Sequence, residues 1–324
     1  MNTDIAHDLR NLQSWLQNHL TGSVAVLLGG NASERPVSLK SGNAVLNALQ
    51  ELGIECQPVD TADADWLMQV QQFPHAFIAL HGPGGEDGTV QAALELLGIS
   101  YTGSGVLASA LGMDKLRTKQ LWQGVGLSTP AFTVANAETD FAAVMETFSC
   151  AMVKPAHEGS SIGMAKVHNG AELVAAYQNA AKYDASVLVE QWITGAEFTV
   201  AILGSRALPA IRLETSHSFY DFDAKYLAND TRYLCPCGLS AEKEAELQTL
   251  ALAAFNAVGC KDWGRVDVMQ DEAGKFYLLE VNTVPGMTDH SLVPMAAKAS
   301  GMTFAHLVAF ILALSVKNIS GVAA

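Results

Sequence analysis

The chain has 324 residues, 49% of them hydrophobic and only 16% charged, with a mean hydropathy of +0.18. This length favours two or three domains sharing interfaces, and this composition excludes general disorder. A formal net charge of −14 and a pI near 5.0 oppose the basic footprint of a phosphate-backbone binder, so no nucleic-acid partner is expected, although a local cleft can still receive a small anion.

The longest apolar stretch, Leu307 to Leu314, is too short for the roughly 18 to 20 residues of a membrane-spanning helix and predicts a core helix, so no membrane association is expected. Five cysteines, odd in number and without framework spacing, suit a reducing cytoplasm. Cys235-Pro-Cys237 lacks the further ligands that zinc requires and reads as an incidental loop pair. The first twenty or so residues have no apolar signal region, while Ile5, Leu9, Leu12, Leu16 and Leu20 recur at helical spacing, which predicts an amphipathic helix packed on the body or on a partner subunit.

In chain order, the first predicted strand is "SVAVLLGG", Ser23 to Gly30, followed by a helix that stops at Gly53. A second strand, "HAFIALHG", leads through a glycine-rich turn into another helix. These alternating units predict a parallel-sheet domain with functional loops at the carboxyl ends of its strands. Further on, "LSTPAFTV", "SCAMVKPA", "SVLVEQWI" and "EFTVAIL" read as strands and "GAELVAAYQNAAKY" as a helix. Then come "RALPAIRLET", the polar and aromatic loop "SHSFYDFDAKYLANDTRYLCPCG", a helix from Glu242 to Val258, a strand pair and the apolar carboxyl-terminal helix.

That strand pair, "WGRVDVMQ" and "KFYLLEVN", is joined by the turn "DEAG". Symmetric pairing predicts Arg265, Asp267, Leu278, Glu280 and Asn282 on one face and Val266, Val268, Tyr277, Leu279 and Val281 on the other. Three oxygen-bearing side chains at strand ends suit a hard cation such as Mg²⁺, with Arg265 as a fixed cation beside them. A solvent-exposed face with an Arg–Glu cross-strand pair is the alternative. Lys154 ends an apolar strand before the loop "AHEGSSIGM", an arrangement suited to phosphate though not a Walker A loop, and equally readable as a surface lysine. Glu190 and Glu197 flank strands where they could accept hydrogen bonds from ribose, or be solvated strand-end charges. His81 closes the second strand as a structural or a functional histidine.

Taken together, "VAVLLGGNASER", "LHGPGGEDGTVQ", "SGVLASALGMDK", "VKPAHEGSSIGM", "EFTVAIL", "DFDAKY", "WGRVDVM" and "EVNTVPGMTDHSLVP" resemble, in this order, the D-alanine:D-alanine ligases of the ATP-grasp superfamily. The resemblance implies a mixed α/β, three-domain ATP-grasp fold. Its parts would be an amino-terminal parallel-sheet domain over 1–103 with a helical extension over 1–22, a central subdomain over 104–189, and a carboxyl-terminal subdomain over 190–324 with a lid loop near 214–238. It implies that Lys115, Lys154, Ser160, Ser161, Glu190, Glu197 and Lys225 bind ATP, and that Asp267, Glu280 and Asn282 hold two Mg²⁺ or Mn²⁺ ions. Glu34, Ser160, Tyr226 and Arg265 would be the catalytic group, and Glu34, His81, Gly286, Ser291 and Leu292 would bind D-alanine. The implied reaction is ATP-dependent formation of D-alanyl-D-alanine through an acyl phosphate, in a cytoplasmic homodimer. Lys225 and Tyr226 favour D-alanine over D-lactate as second substrate, with a D-alanine:D-lactate ligase as the alternative. Pro36 and Pro83 depart from the family pattern.

Overall fold

A computed structural model describes residues 9–159, 161–215, 231–288 and 291–320. Ser160, Lys225, Tyr226 and most of the expected lid therefore lie outside the described residues. The chain opens with α1 (Leu9–His19), whose Leu12 and Leu16 are fully buried. There follow β1 (Val24–Leu28), α2 (Arg35–Glu51), β2 (Cys56–Asp60), α3 (Trp66–Val70), β3 (His75–Ile78), α4 (Thr89–Leu96) and β4 (Ser100–Tyr101). Their four strands form a parallel sheet in the order β2-β1-β3-β4. β1 is buried along its whole length, which is why its sequence, "VAVLL", is apolar without alternation. Pro36 sits in the first turn of α2, where a missing N–H costs no helical hydrogen bond.

The central segment comprises α5 (Val106–Met113), α6 (Lys115–Gly124), β5 (Phe132–Ala135), α7 (Phe141–Phe148), β6 (Ala151–Pro155), β7 (Ala165–Val167), α8 (Gly170–Ala180) and β8 (Val187–Gln191). Its antiparallel sheet has the order β5-β8-β6-β7. β8 continues to Gln191, so the division expected at 189/190 falls inside a strand.

The remainder holds β9 (Gly195–Leu203), β10 (Arg206–Ala207), β11 (Ile211–Glu214), β12 (Arg232–Leu234), α9 (Ala241–Val258), β13 (Trp263–Asp271), β14 (Phe276–Asn282), α10 (Leu292–Ala299) and α11 (Phe304–Ser320). A second antiparallel sheet runs β12-β11-β9-β13-β14, with β10 on β9. The end of the expected lid segment is thus a strand, β12, hydrogen-bonded to β11. α11 is the core helix that its apolar run predicts: Leu307, Val308, Ala309, Ile311, Leu312 and Ala313 are all 0% exposed. No single helix among the described residues is long and apolar enough to cross a membrane.

The predicted faces of the β13–β14 hairpin need one correction. Arg265 pairs with Asn282 and Asp267 with Glu280, but the register then shifts, so that Val268 faces Leu278 and Met269 faces Tyr277. Leu279 is the extra residue of a β-bulge, and two consecutive side chains, Leu279 and Glu280, point the same way. Leu278 therefore enters the core with Val266, Val268, Phe276 and Val281, while Leu279 and Tyr277 lie on the opposite side from the one that strict alternation assigns them.

Candidate active site

A cavity of about 460 Å³ lies between the central sheet and the second antiparallel sheet. Lys154 on β6 and Glu190 on β8 share a sheet face, because Met152 pairs with Glu190 and Lys154 with Leu188. The Glu190 carboxylate receives Lys154 Nζ at 2.6 Å and Lys119 Nζ, from α6, at 3.0 Å. Lys119 is wholly buried and also donates to Thr129 Oγ1, whose hydroxyl donates to the Leu278 carbonyl at 2.8 Å. An isolated buried charge would be prohibitive, so the three ionised groups persist by pairing. Burial pushes the Lys119 ammonium down to about 8 against the pull of Glu190. Burial works to raise the Glu190 carboxyl, but the two ammonium groups hold it below its ordinary range.

The opposite wall is the acid face of β13 and β14. Arg265 grips Asp267 through two parallel bonds, Nε to Oδ1 at 2.8 Å and Nη2 to Oδ2 at 2.7 Å. Thr199 on β9 donates to Asp267 Oδ1 at 2.6 Å and Asn282 Nδ2 to Oδ2 at 3.2 Å, so Asp267 is fixed from three strands. Lys115, at the start of α6, donates to the Glu158 carbonyl at 2.6 Å and stands 3.7 Å from Glu280 Oε2. Asp114 places it by capping α6, accepting the Arg117 N–H at 2.9 Å. His157 ties the base of the following loop between Asp114, 3.1 Å from its Nε2, and Asp184, 2.8 Å from its Nδ1.

Glu34 is buried next to Gly159, one of the residues that line this cavity. A Cβ built on Gly159, which lines the cavity, would lie 2.7 Å from Glu34 Oε1, and one on Gly82 would lie 2.5 Å from Oε2. Gly82 also has φ +73°, so the carboxylate is seated between two backbones that only glycine lets approach so closely. Ser33 Oγ donates to Glu34 Oε2 at 2.8 Å. His81 is buried, with Nδ1 3.0 Å from the Val284 carbonyl, and it lines a second cavity of about 190 Å³ together with Gly30 and Pro83. Ser291 Oγ accepts the Thr288 N–H at 2.9 Å and lies close under Gly286. The Leu292 side chain is buried in the core, which leaves its backbone N–H at the start of α10 as its polar feature.

Two family models match the chain, D-ala D-ala ligase C-terminus over residues 121–313 and D-ala D-ala ligase N-terminus over residues 68–104. This chain belongs to the D-Ala–D-Ala ligase family. It is 60% identical over 310 residues to the D-alanine--D-alanine ligase of Ectopseudomonas mendocina, covering 95% of this chain and 99% of that one. It is 61% identical over 295 residues to the enzyme of the same name from Saccharophagus degradans, covering 90% and 94%. Among solved structures, the D-alanine--D-alanine ligase of Bacillus anthracis complexed with ATP superposes with a TM-score of 0.82 at 31% identity, covering 93% of this chain and 99% of that one. The VanG D-Ala:D-Ser ligase of Enterococcus faecalis gives 0.80 at 30% identity, covering 91% and 100%. The fold is accordingly the mixed α/β ATP-grasp fold of these ligases.

Of the ligase residues expected from sequence, Lys115, Lys154, Ser161, Glu190, Glu197, Asp267 and Glu280 line the large cavity. Arg265 and Asn282 join it through Asp267, and Glu34 through Gly159. His81, Gly286, Ser291 and Leu292 do not line it. Sequence reasoning missed Lys119, although it stands four residues after Lys115 on one helix face, and it missed the Asp267 partner Thr199. It also missed the apolar wall of Met152, Ile193, Met269 and Leu279.

The donor set suits a hard cation. Asp267 and Glu280 are direct cross-strand partners, and Asn282 adds an amide oxygen. Each Asp267 oxygen already accepts two protein hydrogen bonds, from Arg265 and Thr199 at Oδ1 and from Arg265 and Asn282 at Oδ2, so a cation would bind by taking the place of one of these donors. Among the described residues no three His, Cys, Asp or Glu side chains close around one point, so phosphate and water oxygens would complete the shell.

Proposed function

We propose that this protein joins two D-alanine molecules into D-alanyl-D-alanine for peptidoglycan synthesis, converting ATP to ADP and phosphate in the large cavity. The observation that carries the site is the convergence there of Lys115 and Lys154 on one wall with Asp267 and Glu280 on the other. A triphosphate needs the first pair, and ions bound to it need the second. The apolar wall of Met152, Ile193, Met269 and Leu279 suits the adenine ring, with Glu190 and Glu197 toward base and ribose. Asp267, Glu280 and Asn282 would hold Mg²⁺ or Mn²⁺, which when bound offsets phosphate charge and orients the γ-phosphoryl group.

The first D-alanine is assigned beside Gly159 and Glu34, whose carboxylate would pair with the substrate ammonium and leave the substrate carboxylate facing the γ-phosphorus. That carboxylate oxygen attacks phosphorus and ADP leaves. The amine of the second D-alanine then attacks the acyl carbon, phosphate departs, and the nitrogen loses its extra proton. Arg265, held rigidly by Asp267, is assigned to the oxyanion that forms in between, since a preorganised donor needs no reorganisation in the transition state. Ser291 Oγ and the free end of α10, with the Leu292 N–H, are assigned to the second carboxylate. ATP as co-substrate and five free thiols favour a cytoplasmic protein. Homodimerisation rests on family resemblance alone, and sedimentation would test it.

Phosphate release from MgATP is the deciding measurement. D-Alanine should support turnover, L-alanine should not, and mass spectrometry should find the D-alanyl-D-alanine dipeptide when D-alanine competes with D-lactate and D-serine. Absence of D-isomer-dependent turnover rejects the reading, and predominant depsipeptide or D-alanyl-D-serine rejects its second substrate.

A further inference from the structure

Ser41 has no role in the scheme above, yet its hydroxyl stands at the junction of the amino-terminal domain with the chain that follows β14. It is fully buried on α2. Its Oγ lies 3.0 Å from His81 Nε2 and accepts the Met287 N–H at 3.1 Å. The other ring nitrogen, His81 Nδ1, lies 3.0 Å from the Val284 carbonyl and 3.7 Å from Glu86 Oε1.

Donor and acceptor rules leave one arrangement in which every group of this chain is satisfied. A carbonyl oxygen only accepts, so His81 Nδ1 carries a proton toward Val284. In the neutral ring Nε2 is then a bare acceptor and receives the Ser41 hydroxyl proton. The Ser41 oxygen, having donated, accepts from Met287. A protonated Nε2 would instead send two donors onto Ser41 Oγ and strand the hydroxyl proton in a buried site. The chain of bonds thus runs from Met287 N–H through Ser41 and His81 to the Val284 carbonyl, and it grips the turn 284–287 at both ends.

That turn carries Gly286, and a Cβ at Gly286 would lie 2.8 Å from Ser291 Oγ. Its position therefore decides where Ser291 and the start of α10 sit.

We propose that Ser41 is a positioning residue for D-alanine: it sets the His81 tautomer and, with His81, holds the turn 284–287 in the place that the D-alanine sites require. This rests on the assignment of His81, Gly286 and Ser291 to D-alanine made above. Substitution by alanine leaves the Met287 N–H and His81 Nε2 without partners, and the turn shifts to find them.

The test combines spectroscopy with kinetics. In the wild-type protein, ¹⁵N imidazole spectra should show His81 protonated at Nδ1 and bare at Nε2; protonation at Nε2 overturns the proposal without touching the ligase reading. In Ser41→Ala, exchange of the Met287 amide should accelerate and the KM for D-alanine should rise about tenfold, the KM for ATP staying within about twofold. Ser41→Ala and His81→Ala should be non-additive in kcat/KM for D-alanine. Unchanged D-alanine kinetics in Ser41→Ala, equal losses for ATP and D-alanine, or additive effects each overturn it. Wild-type protein inert toward D-alanine sinks the parent reading instead.

Discussion

Lys119 shows how a single buried side chain governs a site that it does not line. Its ammonium shares Glu190 with Lys154, so Glu190 is held from two sides and Lys154 keeps a fixed direction into the cavity. Removing Lys119 leaves Glu190 paired with Lys154 alone and Thr129 without its donor. Lys119→Met should therefore cost about 2 to 4 kcal/mol of stability, at the lower end of buried-pair losses because one partner remains. Urea unfolding reads that loss, and a rise of about tenfold in the ATP Kd with little change in D-alanine KM would mark the effect on the site. The pH profile gives a second check. Burial sets the Lys119 ammonium near 8, so it is charged at pH 7 and largely neutral at pH 9. Wild-type ATP affinity should fall over that interval, whereas the Met variant, already without the charge, should be flat. Lys119 was legible in principle, since "MDKLRTK" spaces its two lysines one helical turn apart, but the glutamate it meets lies far along the chain, at position 190.

At the level of elements, most strands and helices announced themselves because their burial follows their pattern. "VAVLL" is uniformly apolar since both sheet faces are covered, and Asp267 and Glu280 interrupt apolar runs because that side of the hairpin faces a cavity. The bulge at Leu279 could not be foreseen in the same way. Leu278 and Leu279 are the same residue type, so no chemical contrast marks which of them turns inward, and register is decided by the backbone pairing with β13. β7 and β10 were equally hidden, being three and two residues long, with stability drawn wholly from neighbouring strands. Gly264 is where this packing is tightest. A Cβ there would lie 2.6 Å from the Phe255 ring on α9 and 2.8 Å from the Asn282 carbonyl. Gly264→Ala must push β14 away from β13 or α9 away from both, at a cost of about 1 to 3 kcal/mol. Because Asn282 and Arg265 pair across the same step, kcat should fall more than thermal stability alone explains. A variant with wild-type kcat would show that the hairpin absorbs the methyl elsewhere.

Across the whole molecule, one apolar cluster joins parts far apart in sequence. It contains Leu12 and Leu16 of α1, β1, Val45 and Leu49 of α2, Val293 of α10, and Leu307, Ile311 and Leu312 of α11. α11 contacts α1, α2 and β4, so the last described helix is part of the core of the first sheet, and division of the chain into consecutive folding units does not describe its stability. This coupling was invisible in sequence because an apolar helix says that it is buried but not against what. Leu312→Ala tests it. The side chain is wholly buried, and its truncation should cost about 2 to 5 kcal/mol through lost transfer energy and the cavity left behind. If the shared core is one cooperative unit, hydrogen exchange should accelerate in β1 and α2 as much as in α11, although no amide of β1 or α2 lies near position 312 in sequence. Protection lost from α11 alone would mean that the helix opens as a separate unit and leaves the amino-terminal sheet intact. The same measurement bears on activity, because the loops carrying Glu34 and His81 leave the ends of β1 and β3, and a core that loosens as one unit loosens both together.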